Sequence, residues 1–174
     1  KNIMASIKYN RRKIIFHPFY NKKKFVEELY EIKMQKKLDL KHPKTFTEKL
    51  NAFKLDRKMI KSYSKYIDKN EVRKYVADKI GTKYLIPQYF YKKKIEVKDL
   101  EQLPRQFVLK TTNGSGTNYI VLDKEKEDLT KVCKYLNWLS KIKYGYIWGE
   151  FFYNKIKPGI VAEELLLDVI FLMI

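Results

Sequence analysis

The sequence predicts a mixed α+β protein in which helices come first and strands concentrate in the second half. Three patterns with helical spacing precede residue 82, and a strand–turn–strand pattern occupies residues 106–122. Its turn contains Asn113-Gly114 between two apolar runs, which is the strongest short signal for a β-hairpin. A fourth helical pattern after residue 127 and an apolar strand at 160–162 complete the order.

The first two helical patterns differ in how their start is marked. Residues 21–38 place Phe25, Leu29 and Ile32 on one face of an amphipathic helix, with lysines elsewhere. The second helix begins at Thr45-Phe-Thr-Glu48, which matches a capping box because Thr45 can cap the amide of Glu48 while Glu48 reaches back. The apolar positions of this second helix are Phe46, Leu50 and Phe53.

The third helical pattern runs from Asn70 to Gly81. We expect the Asn70 side chain to cap its first turn and Gly81 to end it, because asparagine and glycine are favoured at these two positions. The positions expected to face inward are Val72, Tyr75, Val76 and Ile80. An extended segment follows, and Pro87 prevents it from being an ordinary central strand.

The fourth helical pattern begins at Asp128 or Thr130 and carries the single cysteine of the chain. The positions expected on its buried face are Val132, Cys133, Leu136, Leu139 and Ile142. Because Cys133 falls on this apolar face, we expect a small buried hydrophobic residue rather than a nucleophile. One cysteine also excludes a disulfide framework and fits a reducing compartment.

The net charge of +18 restricts the choice of partners. Residues 1–60 hold 17 Lys and Arg against 6 Asp and Glu, which favours an acidic polymer, an anionic membrane surface or nucleic acid. Only five basic residues are arginine, the residue best suited to reading bases, so we expect no specific nucleic-acid partner. No run reaches the roughly 18 to 20 apolar residues of a membrane helix, and we expect a cytoplasmic location, free or at the inner face of the membrane.

The hairpin also has the composition of a phosphate-binding loop. Lys110 ends its first strand, and Gly114 and Gly116 lie in the turn that follows. Glycine lets backbone amides approach phosphate oxygens, and a neighbouring lysine supplies a mobile positive charge. The spacing is not that of a P-loop. An ordinary hairpin with a solvated lysine explains the same residues, and this segment alone leaves both interpretations open.

The order of several short motifs resembles the TupA-like family of the ATP-grasp superfamily over about residues 42–165. The motifs are His42-Pro-Lys-Thr-Phe-Thr-Glu-Lys-Leu50, Ile67-Asp-Lys-Asn-Glu-Val-Arg-Lys-Tyr-Val76, Ile80-Gly81 to Ile86-Pro87, Leu103-Pro104, Phe107-Val-Leu-Lys110 with its glycine loop, Trp148-Gly-Glu150, and Lys157-Pro158 to Ala162-Glu-Glu164. The resemblance implies a basic helical extension at 1–41, a helical pre-grasp region at 42–95 and the first α+β lobe of an ATP-grasp fold at 96–174.

The same resemblance implies ATP and Mg²⁺ as cofactors. The residues that it assigns to ATP are Lys69, Arg73, Lys110, Asn113, Gly114, Ser115, Gly116, Glu163 and Glu164. In this family the two lysines hold phosphates, the glycine turn covers them, and the glutamates lie near the adenine. From the residues alone, Asp68-Lys69 is also explained as a helix cap beside a surface lysine, and Glu163-Glu164 as the polar end of a strand.

The resemblance to the superfamily implies a reaction in which ATP activates a carboxylate and an amine then attacks the activated group. TupA-like members are associated with anionic cell-surface polymers. The resemblance therefore implies an acidic polysaccharide or another carboxylate as acceptor, with catalytic residues unassigned. A glycosyltransferase-type transferase is an alternative, although no Asp-x-Asp motif supports it. A basic nucleic-acid-binding module is another, with residues 89–94 as its candidate segment.

The sequence departs from the family after Glu164. Only Asp168 follows, inside the apolar run at 165–174, and no carboxylate pair has metal-ligand spacing. We assign no metal ligand in this chain and expect the Mg²⁺ ligands in a second lobe that is missing here. We therefore expect that this polypeptide by itself cannot complete phosphoryl transfer, and that it is the front part of an enzyme or the product of a broken reading frame.

Overall fold

The structure is a computed structural model that describes residues 21–166. Within this range seven α-helices and one four-stranded sheet confirm the predicted α+β class. The α-helices are α1 Lys22–Met34, α2 Phe46–Leu55, α3 Arg57–Ile67, α4 Glu71–Ile80, α5 Val97–Glu101, α6 Leu129–Leu139 and α7 Tyr144–Trp148. The strands are β1 Gln88–Lys92, β2 Phe107–Thr111, β3 Asn118–Val121 and β4 Ile160–Glu163. Short 3₁₀ helices form at Thr82–Tyr84, Lys124–Lys126 and Phe151–Lys155.

Local hydrogen bonds set the starts of most helices. The predicted capping box of α2 is confirmed: the Glu48 amide donates to the Thr45 hydroxyl at 3.3 Å, and the Thr45 amide donates to the Glu48 carboxylate at 2.8 Å. This amide and that of Lys44 lower the pKa of the Glu48 carboxyl to about 2. The side chain of Asp128 caps α6 by accepting from the Lys131 amide at 3.0 Å, as one of the two predicted starts required.

The predicted cap of α4 is wrong. The Asn70 side chain makes no capping hydrogen bond. The carboxylate of Asp68 instead accepts from the amides of Asn70 and Glu71, at 2.9 and 3.3 Å. Asn70 already has helical backbone angles, whereas a capping side chain needs an extended residue to turn back on the helix. Gly81 ends the helix as predicted, with φ of +100°.

In several helices the residues that are buried differ from those that the sequence predicted to face inward. In α1 the buried residues are Phe25, Val26 and Tyr30, whereas Ile32 is 61% exposed. In α2 Phe46 is 79% exposed. The predictions that Tyr75 and Ile80 of α4 face inward are also wrong, since both are exposed. Each helix carries more apolar residues than one face holds, so tertiary packing decides which of them are buried.

The sheet is antiparallel and has the strand order β1–β4–β2–β3. The predicted hairpin is confirmed, with Lys110 opposite Asn118 across β2 and β3. The last described strand, β4, enters between β1 and β2 and places Val161 opposite Lys110. Strand β1, which follows Pro87, lies at an edge of this sheet, where a missing amide donor is tolerated.

A single apolar core joins the sheet to α5 and α6. Its members are Ile95, Leu100, Leu103, Phe107, Leu109, Val121, Val132, Cys133, Leu136, Ile160 and Ala162. The predicted burial of Cys133 is confirmed, and this burial raises the pKa of its thiol. Two hydrogen bonds connect α6 to the loop before α5. The Asn137 side chain donates to the Ile95 carbonyl at 2.8 Å and accepts from the Ile95 amide at 2.9 Å.

The described residues form two compact units. The first contains the residues up to Lys65 together with Lys143–Ile156, and the second contains Tyr66–Ile142 and the residues from Lys157 onward. The division of the sequence at residues 41 and 95 stays a prediction. Residues 1–20 and 167–174, with Asp168 and most of the apolar run, lie outside the described residues. In the part of the chain that is described, no helix combines the length and the apolar character needed to cross a membrane.

The capping box of α2 yields a stability prediction. Replacing Thr45 with alanine removes the oxygen that accepts from the Glu48 amide, and we expect a loss of about 1 kcal/mol in the free energy of unfolding. Thr45→Ser keeps the hydroxyl and should lose much less. Urea denaturation of the three proteins measures the difference, and equal stability of all three would contradict the assigned role of the hydroxyl.

Candidate functional site

An open cleft of about 370 Å³ lies within the second unit, beside β2 and β4. One part of its wall is apolar and is formed by Val72, Tyr84, Leu85 and Ile86. The other part is charged and polar and is formed by Lys69, Arg73, Lys110, Asn118 and Glu163. A cleft with these two kinds of wall suits a ligand that has an apolar portion and an anionic portion.

Lys69 connects the loop before α4 with the turn of the hairpin. Its ammonium group donates to the carbonyl oxygen of Thr111 at 2.8 Å and to that of Gly114. Burial, and to a smaller extent the positive charge of Lys110, lowers the pKa of Lys69 to about 8. An ammonium group has three N–H donors, so one remains for a ligand in the cleft.

Glu163 is a buried carboxylate shared by two cations. The Lys110 ammonium group lies 2.6 Å from one of its oxygens, and the Arg73 guanidinium lies 3.6 Å from the other. The strand register explains the first contact, because Lys110 is opposite Val161 and Glu163 is two residues further along the same face of β4. The guanidinium of Arg73, a residue of α4, also donates to the Ile86 carbonyl at 2.8 Å.

The charges that line this cleft do not balance. Lys69, Arg73 and Lys110 are positive, and Glu163 is the only acidic residue in the described lining. Partly buried cations without a full complement of anions are unfavourable, because burial removes water and neighbouring like charges repel. A ligand with several negative charges would offset this cost. The arrangement therefore suits an anionic ligand.

The predicted turn residues occupy different positions relative to the cleft. The Asn113 side chain is buried and donates to the Ser140 carbonyl at 2.8 Å, so it anchors the turn to the end of α6. Gly114 brings its carbonyl to Lys69, and a Cβ atom there would lie 2.8 Å from the Thr117 side chain. Ser115 and Gly116 are exposed, and Gly116 has a φ of +65°, which favours glycine.

The structure thus brings together Lys69, Arg73, Lys110 and Glu163 in one cleft, with the Gly114 carbonyl bonded to Lys69. Glu164 is exposed outside the cleft wall, and its amide donates to the Pro87 carbonyl at 2.9 Å. Sequence reasoning missed the apolar wall. Its signal in the sequence is Leu85-Ile86, which the pattern before Pro87 assigns to an extended segment.

These features define an α+β unit with a cluster of two lysines and one arginine beside a glycine-containing hairpin. A model of the family described as TupA-like ATPgrasp matches residues 48–169. The chain belongs to the TupA-like ATP-grasp family, as the order of its motifs predicted. Comparison with the curated proteins and with the solved structures gave no match.

The family implies ATP and Mg²⁺, and the described residues fit the two differently. The excess of cations along the cleft suits the phosphates of ATP. Magnesium prefers carboxylate oxygens as ligands. The one carboxylate in the described lining is that of Glu163, and it already pairs with Lys110 and Arg73. Across residues 21–166 no three His, Cys, Asp or Glu side chains converge on one point. The lining of the cleft therefore offers no carboxylate to magnesium that is free of an ion pair.

The environment of Lys69 yields a pH prediction. We expect its amine to titrate near pH 8, below the ordinary value of 10.5. Between these two values the unfolded chain binds more protons than the folded one, so the contribution of Lys69 to stability rises as the pH increases from about 8 to 10.5. NMR of ¹³C-labelled lysine side chains, assigned with Lys69→Met, measures the titration directly.

Lys98 is the internal reference for this titration, because its Glu96 partner raises the pKa of the Lys98 amine above 10.5. A Lys69 signal that titrates together with that of Lys98 would contradict the burial of Lys69 between the two carbonyls.

Proposed function

We propose that the cleft binds ATP, with the phosphates among Lys69, Arg73 and Lys110. The observation that carries this proposal is that three cations line one cleft next to an apolar wall, and only two of them share the carboxylate of Glu163. Membership of the ATP-grasp family supports the choice of ATP among anionic ligands. The apolar wall of Val72, Leu85 and Ile86 offers a surface for the flat adenine ring.

In this proposal the charged residues have distinct tasks. Lys69 holds the Gly114 turn at the cleft and directs its remaining N–H to a phosphate oxygen. Glu163 orients Lys110 and Arg73 until phosphate oxygens compete for their donors. Hydrogen bonds to charged groups contribute about 1.5–3 kcal/mol each, so two or three such contacts suffice for measurable binding.

The exposed part of the turn belongs to the same proposal. Ser115 and Gly116 would cover the phosphates, Asn113 would keep the base of the turn in place, and Glu164 would contact the nucleoside. The first two residues are exposed, and the positive φ of Gly116 gives the turn a backbone that few other residues adopt. Support for Glu164 comes from its position directly after Glu163 at the end of β4.

We propose further that the family chemistry is that of a carboxylate–amine ligase of cell-surface polymer biosynthesis. When bound, ATP supplies the phosphoryl group that makes a carboxylate reactive toward an amine. The residues of this chain bind and orient the phosphates and neutralise their charge. An acidic polysaccharide is the proposed acceptor, because a net charge of +18 attracts polyanions, and the proposed location is the cytoplasm or the inner face of the membrane.

Calorimetric titration with ATP tests the phosphate role of Lys110. Lys110→Ala should weaken ATP binding at least about tenfold, the equivalent of about 1.4 kcal/mol, because a charged donor is lost. Lys92→Ala is the matched control: Lys92 is also a strand lysine paired with a buried carboxylate, that of Asp99. Equal affinity of Lys110→Ala and the unmodified chain for ATP would remove Lys110 from the site.

A second pair of variants tests Lys69 without confusing binding with folding. Lys69→Met should weaken ATP binding about tenfold or more, for the same reason. Lys124→Met is matched to it, because the Lys124 ammonium group also donates to two backbone carbonyls, those of Glu101 and Leu103. The two variants should have similar thermal midpoints. If both bind ATP like the unmodified chain, the cleft is not the ATP site.

A further inference from the structure

A second and larger cavity lies wholly within the first unit and shares no residue with the ATP cleft. Its volume is about 710 Å³. Four cations line it, two at the start of α1, one in the loop before α2 and one at the start of α3: Lys22, Lys23, Lys41 and Arg57. Asp56 is the only acidic residue in the described lining.

The carboxylate of Asp56 already accepts two backbone hydrogen bonds. One of its carboxylate oxygens accepts from the amides of Lys58 and Met59, at 2.7 and 3.1 Å, and so caps the first turn of α3. Lys23 has an exposed partner, Glu27, at 3.8 Å, and exposed pairs of this kind are weak. Among residues 21–166 no acidic side chain lies within ion-pair distance of Lys22, Lys41 or Arg57.

The position of Lys22 is unfavourable for a cation without a ligand. Its ammonium group lies 5.0 Å from the centre of the Phe151 ring, which holds it in place. Burial lowers the pKa of the Lys22 amine, and the charges of Lys155 and Arg57 lower it further. Lys22 and Arg57 are also the first residues of α1 and α3, where the helix dipole disfavours positive charge. The aromatic ring offsets part of this cost, but no carboxylate among residues 21–166 forms an ion pair with Lys22 or Arg57.

The floor of the cavity is apolar. Leu40, Ala52, Leu55 and Ile60 line it, and Ile60 is buried whereas the other three are partly exposed. A concave surface that combines an apolar floor with charged groups at its rim is typical of a ligand site rather than of a solvated face. A ligand that fits this surface would combine an apolar group with a compact negative charge.

We propose that this cavity binds a phosphoryl anion carried on an apolar group. The phosphoryl oxygens meet Lys22, Lys41 and Arg57, and the apolar group lies on Leu55 and Ile60. A phosphate monoester matches the surplus of cations better than a single carboxylate, because it carries nearly two negative charges at neutral pH. The site is separate from the ATP cleft and gives this family member a second ligand.

Calorimetry on the full chain tests both halves of the proposal with three probes. Farnesyl phosphate has the anion and the apolar group, farnesol has only the apolar group, and inorganic phosphate has only the anion. We expect farnesyl phosphate to bind at least tenfold more tightly than either of the other two. Lys110→Ala should leave this binding unchanged, which separates the result from the ATP proposal.

Two double variants locate the site. Lys22→Ala/Arg57→Ala removes two cations from the cavity and should weaken farnesyl phosphate binding at least tenfold. Lys58→Ala/Lys61→Ala removes the same charge from exposed positions of α3 outside the cavity lining and should change the affinity by less than twofold. Lys41→Ala, which lies in a loop, serves as the test if the first double variant fails to fold.

Each other outcome overturns the proposal. Equal losses in the two double variants mean general attraction to a basic surface. If inorganic phosphate binds as tightly as farnesyl phosphate, the proposed contact with an apolar group is wrong. If farnesyl phosphate does not bind, both proposed contacts are wrong. Vesicles of phosphatidylcholine with and without phosphatidic acid form the last arm: binding to acidic vesicles without binding of monomeric farnesyl phosphate assigns these cations to a membrane surface instead.

Discussion

The carboxylate of Glu163 is the contact on which the geometry of the cleft beside β2 and β4 depends. It joins Lys110 of β2 to Arg73 of α4, and Arg73 in turn holds the Ile86 carbonyl before β1. Because a buried charge is stable only when it is paired and hydrogen-bonded, these groups constrain one another. The helix, the two central strands and the apolar wall therefore meet at one carboxylate.

Lys69 adds a second constraint that uses backbone rather than side-chain partners. Its two carbonyl acceptors belong to the end of β2 and to the hairpin turn, so the ammonium group holds the turn against the loop before α4. The carbonyls accept from two of its three N–H donors but carry no full negative charge, and burial therefore still disfavours the protonated form. An anion in the cleft would restore that form, which links ligand binding to the position of the turn.

The positive charge of the chain is unevenly placed. In the first unit the described residues hold 16 Lys and Arg against 7 Asp and Glu, and in the second unit they hold 17 against 12. Composition alone explains exposed lysines. Lys22 and Arg57 are themselves exposed, but they line one cavity, and among residues 21–166 neither has an acidic ion-pair partner.

The sequence by itself determined the features that depend on neighbouring residues. The capping box of Thr45 and Glu48, the hairpin around Asn113-Gly114 and the buried face of α6 each follow from side chains a few positions apart. The family could also be predicted, because the order of its motifs is a property of the chain. Lys69 and Lys110 were predicted together only through that resemblance.

Only the tertiary structure decided which residues share a cleft and which apolar residues are buried. Glu163 meets Lys110 because β4 enters the sheet between β1 and β2, and no local pattern specifies that position. Leu85 and Ile86 become cleft wall, whereas Phe46 and Ile32 stay exposed. Contacts between residues far apart in sequence depend on how the helices and strands pack against one another. The spacing of residue types within one helix or strand does not predict that packing.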